Sequence, residues 1–171
     1  MKLKTVKHTL VMFLVNNLFA GAYLFEVKRR LLNGIGYSLG EGTKVVGPVF
    51  CPGKLKTGVN CWLGRNLTIH GNGTVVLGDN CDIAPDVTFL TGGHGLIPQE
   101  TDCEEILNCS IRVEEGCWIG TGTTLGRHVT IGKGCMIIAS SCVMKNVPEN
   151  TLVGGVPARV MKKLDEKELY E

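Results

Sequence analysis

The chain has 171 residues and a formal charge of +2, so it fits one domain and carries no basic excess of the kind that nucleic-acid binding requires. Hydrophobic residues make up 44% and charged residues 20%, while 23 glycines point to many tight turns. Eight cysteines would suggest disulfides in a small secreted chain, but no Cys-x-x-Cys pair is present, which argues against a zinc knuckle and against any metal requirement.

Residues 1–40 form an N-terminal segment that reads as helical through residue 33. Lys2, Lys4 and Lys7 precede a largely apolar run from Leu10 to Phe25, and Ala20-Gly21-Ala22 is similar to a signal-peptidase site. Asn16-Asn17 interrupts that run, which is also too short and broken to span a bilayer. The segment is therefore expected to pack on the rest of the chain or on a neighbouring subunit. Any membrane contact is at most a loose surface association.

Residues 41–158 carry the main pattern. Val113, Ile119, Leu125, Ile131, Ile137 and Val143 recur every six residues, a period that neither an α-helix nor a plain strand requires. Gly120, Gly126 and Gly132 directly follow three of them. A slimmer residue stands four positions after each aliphatic: Cys117, Thr123, Val129, Cys135, Ser141 and Val147. The same pattern runs upstream through Leu63, Ile69, Leu77, Ile83 and Phe89, with Val75-Val76 lengthening one side. This is the signature of a parallel β-helix of hexapeptide repeats, three to a turn, with the aliphatics inward at the corners. Cys61, Cys81, Cys117 and Cys135 fall at the small inward position and behave as small buried hydrophobes, which favours a reducing cytoplasm. Residues 90–110 break the period and read as a loop thrown out of the coil. Residues 159–171 suggest a short amphipathic C-terminal helix, and both terminal helices are expected to cap the exposed strand edges of the coil.

Within this framework the chain resembles the left-handed parallel β-helix acyltransferases, and among them the maltose, galactoside and nodulation-type O-acetyltransferases. The residues that carry the resemblance are Asn66-Leu67-Thr68-Ile69, the run from Leu77-Gly78-Asp79-Asn80 to Asp86-Val87-Thr88, Gly93-His94, Gly116-Cys117-Trp118-Ile119-Gly120 and Gly154-Gly155-Val156-Pro157-Ala158-Arg159. They cover about residues 45 to 164. The N-terminal segment, with Leu18-Phe19-Ala20-Gly21 and Lys28-Arg29-Arg30, looks more like that of surface-polysaccharide O-acetyltransferases.

The resemblance implies acetyl transfer from acetyl-CoA to a sugar hydroxyl on a saccharide or nucleotide-sugar acceptor. It implies that His94 deprotonates the acceptor, which attacks the thioester directly; neutral imidazole suits that task near pH 7. Asn66 matches an acceptor-binding asparagine, and a turn residue stacked on neighbouring turns is the equal alternative. His70-Gly71-Asn72 replaces a turn that is usually acidic in the family. For coenzyme A the resemblance points to Trp118, Gly120, Thr121, Ala139 and Ser140 along the pantetheine arm, with Arg159 and Lys162 at the nucleotide phosphates. It also implies a homotrimer whose sites are completed between subunits. His8, His70 and His128 read as surface or scaffold residues. The sequence does not single out an orienting partner for His94: Asp82, Asp86 and Glu100 are candidates, and a backbone carbonyl is the alternative.

Three other readings are weighed. An aminosugar N-acetyltransferase differs only in the acceptor. A non-catalytic scaffold would not need the His94 loop or the Gly-Val-Pro-Ala-Arg end. A γ-type carbonic anhydrase would need a second histidine near His94 for its zinc, and none is present.

Overall fold

A computed structural model describes residues 2–92 and 110–165. The chain begins with helix α1 (Lys2–Phe13), which runs into a π-helical turn (Leu14–Leu18), and continues with helix α2 (Phe25–Asn33). Then come strands β1 (Lys44–Val45), β2 (Val49–Phe50), β3 (Lys54–Thr57), β4 (Trp62–Leu63), β5 (Leu67–His70), β6 (Thr74–Leu77), β7 (Asp82–Ile83) and β8 (Thr88–Leu90). After residues 93–109 follow β9 (Ser110–Val113), β10 (Trp118–Ile119), β11 (Thr124–Leu125), β12 (Thr130–Ile131), β13 (Met136–Ile137), β14 (Cys142–Val143), β15 (Thr151–Gly155) and β16 (Ala158–Lys163).

The strands form three sheets, the faces of a left-handed parallel β-helix. The first face has the order β1-β4-β7-β10-β13-β15-β16, the second β14-β11-β8-β5-β2, and the third β12-β9-β6-β3. The hexapeptide period deals the aliphatics out one per face. Ile83, Ile119, Ile137 and Val153 align in register on the first face. Phe89, Leu125 and Val143 align on the second, and Leu77, Val113 and Ile131 on the third. All are buried, and each stack removes apolar surface from water while the parallel ladder satisfies the backbone. These aliphatics lie within the flat strands rather than at the corners. The corners belong to residues in the left-handed region, among them Asn60, Asn66, Asn80, Asp86, His128, Ser140 and Asn150.

The small inward residues stand just after each turn. On the first face they make a column of Thr43, Cys61, Cys81, Cys117, Cys135 and Thr151, all buried. Each thiol donates to a carbonyl of the next turn: Cys61 to Gly78, Cys81 to Glu114, Cys117 to Gly132 and Cys135 to Pro148, at 2.9–3.1 Å. Contact with the neighbouring thiol, together with burial, pushes Cys81 and Cys117 well above the ordinary thiol range. The same thiol–thiol contacts act the other way on their partners, lowering Cys61 through its bond with Cys81 and Cys135 through its bond with Cys117. The six described cysteines are free thiols.

The two ends are closed differently. Val11, Val15, Leu32, Tyr37 and Leu39 of the N-terminal segment join the hydrophobic core and cover the first turn. Asn16, which breaks the apolar run in the sequence, bonds the backbone of Val49 through both atoms of its amide. At the other end residues 159–163, expected to open a C-terminal helix over 159–171, are corrected: Ala158–Lys163 form β16, antiparallel to β15, while residues 166–171 of that expectation lie outside the described residues. The outer edge of β15 has unpaired backbone groups, and a returning strand satisfies them directly where a helix would not. Leu164 is buried beyond the hairpin and donates its N–H to Asn150. Among the described residues no helix is long and apolar enough to cross a membrane.

Candidate functional site

A cavity of about 240 Å³ opens on the outer side of the first face, lined by Trp118, Gly120, Thr121, Ala139 and four apolar neighbours, Met136, Ile137, Ile138 and Leu152. Four of the residues expected along a pantetheine arm therefore lie together. The cause is the coil itself: Trp118 and Met136 are register partners on successive turns, and Met136 pairs in turn with Leu152. Gly120 is required by its neighbours, because a Cβ there would stand 2.6 Å from the Ala139 nitrogen and 2.7 Å from the Ile137 oxygen. Ser140 does not line the cavity. It sits at the adjacent corner with φ 58° and donates its N–H to the Thr121 carbonyl at 2.8 Å.

Met136, Ile138 and Leu152 are lining residues that reading the sequence for function missed. Their signal was present, since Met136 and Leu152 each precede an inward aliphatic, as Trp118 does.

Arg159 and Lys162 ride on β16, where Arg159 pairs with Gly154 and Lys162 with Leu152. Lys162 thus stands beside a residue that lines the first cavity. Arg159 lines a second cavity of about 470 Å³ with Met144, Lys145, Pro157 and Val160. Both cations are exposed, so phosphate binding there would cost little desolvation of the protein.

His94 and the possible partner Glu100 lie outside the described residues. The strand from which that segment departs is well pinned. Thr91 donates to the His70 carbonyl through both its N–H and its hydroxyl, each at 2.8 Å, and accepts from Gly73 N–H at 3.1 Å. Gly71 and Gly92 touch so closely that a Cβ on Gly71, at φ 91°, would lie 2.4 Å from the Gly92 nitrogen. His70 is exposed beside this root, with its ring 6.0 Å from that of Phe50. Phe50 is 56% exposed and was not singled out from the sequence.

Asn66 occupies a corner on the second face at φ 58° and donates from Nδ2 to Asp86 Oδ1 at 2.8 Å. Asp86 is thereby engaged with Asn66. Asp82 lies outward on the first face, in register between Trp62 and Trp118, and burial raises its pKa. Among the described residues no group of three or more His, Cys, Asp or Glu side chains is placed to hold a metal ion.

No protein-family model matches the chain. The galactoside O-acetyltransferase of Escherichia coli strain K12 is 33% identical over 149 residues, spanning 85% of this chain and 73% of that protein. The chain belongs to this family of hexapeptide-repeat acetyltransferases. WcaF of Escherichia coli strain K12, named for colanic acid biosynthesis and acetyl transfer, is 29% identical over 148 residues, or 85% of this chain and 79% of that protein. The hexapeptide-repeat acetyltransferase VCA0836 of Vibrio cholerae O1 biovar eltor, solved with acetyl coenzyme A, superposes with a TM-score of 0.80 at 26% identity. That match covers 96% of this chain and 89% of VCA0836. The protein is accordingly an acyltransferase built on the left-handed β-helix.

Proposed function

We propose that this acetyltransferase moves the acetyl group of acetyl-CoA directly to a sugar hydroxyl, with His94 as the base. The observation that carries the reading is the cavity on the first face, where Trp118, Gly120, Thr121 and Ala139 converge. Its apolar walls and small residues suit a thin thioester arm lying against backbone. VCA0836, with the same fold, is known with acetyl coenzyme A. Arg159 and Lys162 on the adjoining hairpin supply cations for the nucleotide phosphates.

In the reaction, neutral His94 accepts the proton of the acceptor hydroxyl as the oxygen attacks the thioester carbonyl. A backbone N–H holds the resulting oxyanion. Collapse expels the thiolate, which takes the proton back from the imidazolium. An acetyl ester and free CoA leave, and no covalent enzyme intermediate forms.

The sugar class rests on the galactoside O-acetyltransferase and on the name of WcaF, which favours a saccharide or polysaccharide precursor. The working unit is a homotrimer with each site completed between subunits. Supporting this are the exposed apolar side chains around the cavity and hairpin, notably Trp118, Ile138, Met144, Val160 and Met161.

The deciding experiment is acetyl-CoA turnover against a panel of sugars and nucleotide sugars, in wild type and His94→Ala. Acceptor-dependent release of CoA that disappears in His94→Ala is expected. Full activity in His94→Ala overturns the mechanism. Release that occurs only with aminosugars moves the reading to N-acetylation.

A further inference from the structure

The outward residues of the first face form one column across the turns. Lys44, Trp62, Asp82, Trp118, Met136 and Leu152 follow one another in register, and Lys162 stands opposite Leu152 on the hairpin. Adjacent strands lie about 4.8 Å apart, which puts Lys162 and Trp118 about 14 Å apart along the column. An extended pantetheine arm covers that distance between its phosphate and its sulfur. With Lys162 at a phosphate, the acetyl group lies at the Trp118 end, and an attacking acceptor approaches from the next rungs, Asp82 and Trp62. This placement rests on the proposed acetyl transfer.

Both residues are open to a ligand. Asp82 is exposed and makes no hydrogen bond or ion pair among the described residues. Partial burial, and no neighbouring charge, raises its pKa. Trp62 is half-buried, with Phe25 of α2 against it at 5.6 Å between ring centres and 59° between planes. That contact holds the indole in place. Asn66, matched by resemblance to an acceptor-binding residue, lies at the corner that β4 runs into. We propose that Trp62 and Asp82 form the acceptor subsite: the indole carries the apolar face of a neutral pyranose, and the carboxylate accepts a hydroxyl hydrogen next to the hydroxyl that is acetylated.

The chemistry of the column selects a neutral sugar. An unpaired carboxylate gains most from a donor, and a hydrogen bond to a charged group is stronger than one between neutral groups. The indole beside it offers flat apolar area, the usual lining of a small-molecule site with a few placed polar groups. Lys44 follows Trp62 on the next rung and is exposed, so a protonated amine over the indole would meet a like charge.

The test uses the two tryptophans of the chain, since Trp118→Phe leaves Trp62 as its one indole emitter. That variant is titrated with the methyl pyranosides of glucose, galactose, mannose, N-acetylglucosamine and glucosamine. A saturable change in Trp62 emission with a neutral pyranoside is expected, and adding Asp82→Asn should weaken the binding about ten-fold. No response to any pyranoside overturns the proposal. Tighter binding of the methyl glucosaminide than of the methyl glucoside overturns it in favour of an ion pair. For the sugar that responds most, one monodeoxy form should bind about ten-fold more weakly and be indifferent to Asp82→Asn. If Asp82→Asn weakens every deoxy form as much as the parent, the carboxylate touches no hydroxyl and the proposal fails. In steady-state rates, Asp82→Asn alone should raise the acceptor KM about ten-fold and leave the acetyl-CoA KM unchanged. A fall in kcat with both KM values held places Asp82 at the proton transfer and overturns the subsite. CoA release without a Trp62 response sinks the subsite and leaves acetyl transfer standing. A Trp62 response without CoA release supports the subsite and sinks acetyl transfer to that sugar.

Discussion

Asn16 donates from Nδ2 to the Val49 carbonyl and accepts at Oδ1 from the Val49 N–H, both at 2.9 Å. Val49 belongs to β2, the edge of the second sheet, and is buried. The side-chain amide does there what the backbone of one more strand would do. Asn16→Leu keeps the apolar character of the helix but leaves both Val49 groups unpaired. It should cost about 2–3 kcal/mol and lower the melting temperature by about 5–10 °C. Thermal unfolding read alongside proteolysis of residues 1–40 checks this: the N-terminal segment should become the first site of cleavage.

Gly120 tests how much of the cavity is scaffold. Its neighbours across the turn are backbone atoms, which cannot move aside as a flexible side chain could. Gly120→Ala should therefore destabilise by about 1–3 kcal/mol through overpacking, before any effect on coenzyme binding is considered. Chemical denaturation of the variant checks the stability loss. If stability is unchanged, the close approach is not a constraint.

This explains why the fold was so legible and the site less so. The aliphatic-glycine pairs Ile119-Gly120 and Ile131-Gly132 encode one requirement each: an inward side chain and a backbone that nearly touches the next turn. Repetition every six residues makes such a rule visible in one sequence. Trp118, Thr121 and Ala139 were pointed to by the family resemblance and not by the period, and the coil brings them to one cavity. Other features have no period. The sequence of β16 reads as the start of a helix because Val160-Met161-Lys162-Lys163 allows both, and only the open edge of β15 decides between them. Phe50 and His70 meet across two turns of the coil, a proximity that sequence spacing does not announce. Asn16 looked like a defect in an apolar run until its bonds to Val49 were known.

Asn66 can be separated into its turn role and its proposed acceptor role. Both alanine and glycine lose the bond to Asp86, but at φ 58° glycine is tolerated while alanine is strained by about 1–2 kcal/mol. Asn66→Ala should therefore lower stability, while Asn66→Gly should stay nearer wild type. If Asn66 also binds the acceptor, Asn66→Gly will raise the acceptor KM about ten-fold and leave the acetyl-CoA KM unchanged. Wild-type kinetics in Asn66→Gly would leave only the turn role.

Lys28 is sealed from solvent on α2, and its Nζ donates to the carbonyls of Gly21 at 2.6 Å and Val46 at 3.1 Å. It also lies 5.6 Å and 5.1 Å from the ring centres of Tyr23 and Phe25. Lys28→Met removes these contacts and should cost about 1–3 kcal/mol near neutral pH. Burial lowers the Lys28 pKa from its usual 10.5, although the ammonium lies under only a thin layer of protein. Between that lowered value and 10.5 the unfolded chain binds more protons than the folded one, so this group adds stability as pH rises through the window. Below it, both states are protonated and the contribution is flat. Wild type should thus gain stability relative to Lys28→Met as pH is raised towards 10.5. A constant difference across that range would show that burial does not shift the group.

Arg159 and Lys162 should act on the coenzyme and not on the chemistry. The β15–β16 ladder fixes where both residues leave the hairpin, and Lys162 stands opposite Leu152 at the cavity wall. Loss of one charge-assisted bond to a phosphate is worth about 1.5–3 kcal/mol, or about ten-fold or more in binding. Arg159→Ala and Lys162→Ala should each raise the acetyl-CoA KM by about ten-fold while kcat and the acceptor KM hold. Lys162→Arg offers a planar, bidentate donor to the same group and should lower the acetyl-CoA KM. Initial rates over a matrix of both substrates separate these terms. A fall in kcat without a rise in the acetyl-CoA KM would place the hairpin cations nearer the reacting atoms than the phosphates.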